Sequence, residues 1–139
     1  MVGLVIAAHG GLAEELLRTA EGVCGKLEHC CAVSVSAATG MDDARARLAA
    51  AIQAVDQGDG VLVLTDMFGG SPANLALTFL DERIEVISGV NLPMLVKLST
   101  CRAGGAALRD TAQMLTAYGQ KNITLASEVL RARARPARG

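Results

Sequence analysis

The chain has 139 residues, 51% hydrophobic and 2% aromatic, and a formal net charge of −1. That length suits a single domain with a full core, and the near-neutral charge removes the electrostatic case for nucleic acid as a main partner. No apolar run reaches the roughly 18 residues of a spanning helix, and the N-terminus lacks the basic start and cleavage pattern of an export signal, so a cytoplasmic protein without membrane insertion is expected.

The first element is the run Val2-Gly3-Leu4-Val5-Ile6-Ala7-Ala8 before His9-Gly10-Gly11. A short run of this kind reads as a buried strand of a parallel sheet covered on both faces. The glycines leave room for a bulky anion beside the imidazole. Leu12, Leu16, Leu17, Ala20 and Val23 then recur at helical spacing up to Gly25. His9 therefore falls at a strand-to-helix turn, near the positive end of a helix. Residues 30–37 read as a second strand, Thr39-Gly40 as a turn, and Asp42 and Asp43 as the opening of a second helix ending before Gln57-Gly58-Asp59-Gly60.

A third strand, Gly60-Val61-Leu62-Val63-Leu64-Thr65, ends at Asp66, followed by Met67-Phe68-Gly69-Gly70-Ser71-Pro72. Ser71 is a candidate N-cap and Pro72 a first helical residue for a helix over 73–80. Ile84-Glu85-Val86-Ile87-Ser88 reads as a fourth strand before Gly89-Val90-Asn91-Leu92-Pro93, and Pro93 opens another helix. After a break at 102–105, a longer helix runs to Tyr118 and stops at Gly119. Residues 121–127, with Ile123-Thr124-Leu125, are expected to form a last short strand. A domain over 1–130 is thus followed by a basic, disordered tail over 131–139.

This alternation predicts an α/β fold of three α/β/α layers, with a mainly parallel sheet in the order 2-1-3-4 and an added antiparallel edge strand. Strands one and three then meet at the switch point, where such folds bind ligands. His9 and Asp66 lie there, and Asn91 lies on the same edge. A carboxylate beside an imidazole fixes its tautomer and raises its basicity. His29 reads as a solvated turn residue. Cys24, Cys30, Cys31 and Cys101 form no C-x-x-C pair and read as reduced, buried small residues. Nucleotide loops of the G-x-x-x-x-G-K-[ST] and G-x-G-x-x-G types are absent, so neither nucleotide, metal nor other cofactor is expected. A response regulator would need acidic residues after the first strand, and a hydrolase would need a nucleophile elbow around Ser71. Histidine as the nucleophile toward a phosphoryl group remains, with the Gly-rich turns holding the phosphoryl oxygens.

Three ordered segments, Val5-Ile6-Ala7-Ala8-His9-Gly10, Asp66-Met67-Phe68-Gly69-Gly70-Ser71-Pro72-Ala73-Asn74 and Gly89-Val90-Asn91-Leu92-Pro93-Met94, resemble the IIA domain of the mannose-type (mannose/fructose/sorbose) sugar phosphotransferase system. The resemblance implies that His9 accepts a phosphoryl group from the phosphocarrier HPr and passes it to a IIB protein. It implies that Asp66 orients His9, that Gly10, Gly11, Phe68, Gly69, Gly70 and Ser71 surround the phosphate, and that Asn91 and Pro93 sit at the partner-facing rim. It also implies a homodimer that exchanges the last strand. The alternative is a regulatory module whose phosphorylated and free forms are read by another protein without onward transfer.

Overall fold

A computed structural model describes residues 1–36, 38 and 40–134. The predicted strand end at Ala37, the turn residue Thr39 and residues 135–139 of the predicted tail lie outside the described residues. The elements in order are β1 (Gly3–His9), α1 (Leu12–Cys24), β2 (Cys30–Val35), α2 (Met41–Val55), β3 (Val61–Thr65), α3 (Ser71–Leu77), β4 (Ile84–Ser88), α4 (Leu92–Cys101), a 3-10 turn (Arg102–Gly104), α5 (Leu108–Lys121) and α6 (Ala126–Ala134). The four strands form one sheet in the order β2-β1-β3-β4, as expected, and every pairing is parallel.

Alternation along the central strands explains the layering. Leu4, Ile6 and Ala8 of β1 join Leu62 and Leu64 of β3 in a core completed by α1, α4 and α5. Val5 and Ala7 join Val61 and Val63 on the opposite face, against α2 and α3. Both faces of β1 and β3 are therefore buried, which is why their sequences are continuous apolar runs. With almost no aromatics, close packing relies on small residues. Gly119 is an example: a Cβ there would come within 2.7 Å of the Met94 sulfur. This glycine does not end α5 as expected; it lies inside the helix, where its missing side chain admits Met94 of α4.

Two expectations for the C-terminal region are corrected. Residues 122–125 are not a strand but a short link, and α6 begins at Ala126. A strand is made by a neighbour, and β4 pairs only with β3. Residues 131–134, expected as disordered tail, continue α6, all of them exposed. Alanine, leucine and arginine are strong helix formers. Glu128 in its first turn and Arg131 and Arg133 in its last also complement the helix dipole.

Candidate active site

Parallel pairing sets the site. Ala7 of β1 stands beside Thr65 of β3, so the residues that follow, His9 and Asp66, leave the sheet together. Asp66 Oδ2 lies 2.7 Å from Nδ1 of His9. The same oxygen accepts the His9 backbone N–H at 3.0 Å. The other carboxylate oxygen accepts the amide of Met67 at 3.0 Å. The carboxylate is thus fixed from both sides and nearly covered, with its side chain 13% exposed against 48% for His9.

Burial pushes the Asp66 carboxyl up. The hydrogen bonds from the His9 amide and ring, together with the charge on the imidazolium, outweigh it and hold the group below the usual carboxylate range. An ionised Asp66 accepts the Nδ1 proton, and that leaves Nε2 with its lone pair.

The strand ends behind this pair are braced. Thr65, fully buried, donates its hydroxyl to Ser88 Oγ at 2.8 Å. Its carbonyl accepts the amides of Gly89 at 2.9 Å and Val90 at 3.0 Å. On the other side, Gly10 turns with φ +55, donates its N–H to Val35 at 3.2 Å and accepts the Ser34 hydroxyl at its carbonyl. Arg47 holds the Ser34 carbonyl at 3.0 Å. The sequence reading missed Ser34 and Arg47. They are separated from His9 by more than twenty residues, and only the β1–β2 register brings Ser34 opposite Ala8.

A cavity of about 610 Å³ opens beside the ring, lined by His9, Gly10, Val35, Ser36, Gly40, Met41 and Ser71. Gly11 is the N-cap of α1, whose positive end therefore points at this turn. Gly69 has φ +86, Gly70 is the N-cap of α3, and Phe68 is 76% exposed. Ser71, expected as an N-cap, is instead the first helical residue and makes no capping bond. The helix it opens ends at Leu77, short of the expected Leu80, because Phe79 and Leu80 bond back by three residues in a tight turn.

Asn91 and Pro93 stand at the start of α4. Asn91 is the N-cap of α4: its Oδ1 accepts the Met94 amide at 3.1 Å, and its Nδ2 donates to the Gly119 carbonyl at 3.1 Å. It lines a different cavity, with Ile87, Met94, Gly119 and Ile123, and not the one beside His9. Pro93 sits in the first turn of α4. Among the described residues, no group of three or more His, Cys, Asp or Glu side chains could hold a metal ion, and no helix is long and apolar enough to cross a membrane.

Comparison with known proteins places the chain in a family. Residues 3–116 match the family model described as PTS system fructose IIA component. The chain is 30% identical over 132 residues to the PTS system fructose-specific EIIA component of Bacillus subtilis, covering 94% of this chain and 90% of that one. It is 32% identical over 124 residues to the PTS system mannose-specific EIIAB component of Escherichia coli; the match spans 88% of this chain but 38% of that longer protein. The crystal structure of phosphotransferase system component EIIA from Streptococcus agalactiae superposes with a TM-score of 0.83 at 26% identity, covering 92% of this chain and 99% of that one. The chain belongs to the fructose/mannose IIA family of the sugar phosphotransferase system, a family of phosphotransferase components.

Proposed function

We propose that His9 is the phosphoryl carrier of this chain, taking the group from phospho-HPr in the cytoplasm and passing it to a IIB protein. The observation that carries this reading is the 2.7 Å contact between Nδ1 and Asp66 on a ring that stays half exposed. Nε2 attacks phosphorus, an N–P bond forms, and the donor leaves with the electron pair of its own bond to phosphorus. The positive charge that develops on the imidazole is met by Asp66. Onward transfer reverses these steps toward the acceptor. The turns at Gly10 and Gly11 and over 68–71 frame the phosphoryl oxygens, and no metal or other cofactor takes part. Exposed Leu12, Met41, Met67 and Phe68 supply apolar surface for a protein partner.

Incubation with enzyme I, HPr and phosphoenolpyruvate is expected to place one acid-labile phosphoryl group on the chain and none on His9→Ala. Adding a IIB protein should then discharge it. Full labelling of His9→Ala, or label on His29, would sink the proposal; label that no IIB protein removes would favour the regulatory role.

The carrier is further proposed to act as a homodimer. The outer edge of β4 borders a groove of about 400 Å³ lined in part by Val86, Ile87, Ala112 and Thr116. Ile123 and Leu125 stand 77% and 62% exposed in the link before α6. Laid along the partner's β4, the link would gain strand neighbours and cover an open edge. Truncation after Gln120 should lower the dimer fraction and stability together. Sedimentation of the full chain as a monomer at micromolar concentration would remove the dimer.

A further inference from the structure

We propose that Gly70 is a positioning residue for His9: the side chain it lacks is what leaves the imidazole room to stay on Asp66. The inference rests on the carrier reading above and deepens it. Gly70 has φ −77 and ψ 167, a conformation open to any residue, so its backbone makes no demand for glycine. Space makes the demand. A Cβ at this position would stand 2.7 Å from Cε1 of His9, 3.3 Å from its Nε2 and 3.2 Å from Cγ of Met67. Carbon atoms in comfortable contact sit about 3.5–4.0 Å apart.

The ring is not free to step aside. Its Nδ1 is held at 2.7 Å by Asp66 Oδ2, and that oxygen also holds the His9 backbone N–H at 3.0 Å. A methyl group pressing on the Cε1–Nε2 edge therefore acts as a lever. It lengthens the Asp66 contact, or it turns Nε2 away from the direction in which it must meet phosphorus. The neighbouring glycine serves a different need. Gly69 has φ +86, and a Cβ on it would meet nothing within 4 Å. The first glycine of the pair is required by the turn, the second by the imidazole.

The test compares wild type, Gly70→Ala, Gly69→Ala and the double variant Met67→Ala/Gly70→Ala. Three quantities are measured: the rate of phosphorylation from phospho-HPr, the unfolding midpoint, and the proton and nitrogen NMR signals of the His9 ring, which need no donor. Gly70→Ala is expected to keep the wild-type midpoint, shift the ring signals and slow phosphorylation by on the order of a hundredfold, the cost of misplacing a reacting group by about 1 Å. Gly69→Ala should lower the midpoint and leave the ring signals in place. The double variant should be no faster than Gly70→Ala. Wild-type ring signals or a wild-type rate in Gly70→Ala overturn the proposal. So does recovery in the double variant, which would put the conflict at Met67, and so does loss of folding in Gly70→Ala, since the effect is confined to the ring. A wild-type protein that takes no phosphoryl group refutes the carrier reading instead, while the ring signals still decide whether Gly70 places the imidazole.

Discussion

The two ends of β1 are each met by a basic side chain, and the fold handles the two in opposite ways. At the amino end, Arg102 is enclosed, 7% exposed. It donates to the carbonyls of Val2 at 3.1 Å and Glu28 at 2.7 Å, with a longer contact to His29 at 3.5 Å. Burial lowers the affinity of that guanidinium for its proton, and burial also pushes the neighbouring Cys30 thiol up to about 12 despite the nearby positive charge. Such a thiol stays protonated and inert. At the carboxyl end, His9 is tied at one nitrogen, and its ring is half exposed. A cation whose donors are turned inward onto backbone becomes a clasp between β1 and the loop before β2. A ring anchored on one side and open on the other becomes a reagent. Burial and the number of ties separate the two roles, together with the chemistry of the groups: a guanidinium only donates, while an imidazole keeps a lone pair.

Breaking the clasp should give the largest effect on stability. Arg102→Met takes this donor from the buried Val2 carbonyl and the part-buried Glu28 carbonyl and is expected to cost roughly 2–3 kcal/mol in urea unfolding. Below the unfolding transition, phosphorylation should proceed at the wild-type rate. A slower rate in the folded variant would show that the two ends are coupled.

A smaller effect, of the opposite kind, is expected from Asp66→Asn. The amide keeps the shape but not the charge, and it cannot stabilise a developing imidazolium. Phosphorylation should slow by on the order of tenfold or more, with the melting temperature within a few degrees of wild type. An unchanged rate would show that His9 does not act through this carboxylate.

The smallest effect is in the pH dependence. The folded-state pKa of Asp66 is lowered, so its ionised form stabilises the fold fully above the ordinary value of ~3.9, and that contribution is lost as pH falls through the lower folded value. The difference in unfolding midpoint between wild type and Asp66→Asn should therefore be constant above pH ~4 and shrink below it. A difference that grows on acidification would mean that the carboxyl is raised instead.

Much of this was legible in the sequence because it depends on local rules. Continuous apolar runs in β1 and β3, alternating with helical patterns, dictate a parallel sheet, and the order β2-β1-β3-β4 brings His9 and Asp66 together. What was not legible depends on a neighbour. Gly69 and Gly70 are identical letters, yet one is set by its own φ and the other by a ring sixty residues away. Gly119 resembled a helix stop because its reason for being small, Met94, lies on another helix. Residues 122–125 have strand character but pair with no strand among the described residues. The capping role of Asn91 is legible in Asn91-Leu92-Pro93, a polar cap with proline in the first turn.

The carboxylate oxygen that receives both the amide and the ring of His9 has a kinetic meaning as well. One acceptor bridging two donors of a single residue closes a small loop through that residue's own side chain, and so it removes the rotation about χ1 and χ2 that an exposed histidine would otherwise retain. The ordering of the nucleophile is completed when the chain folds, so it need not be repeated in each meeting with a donor or acceptor. If His9 carries a phosphoryl group between two proteins, as proposed, both meet the same fixed target, and the entropy of aiming is reduced in both barriers.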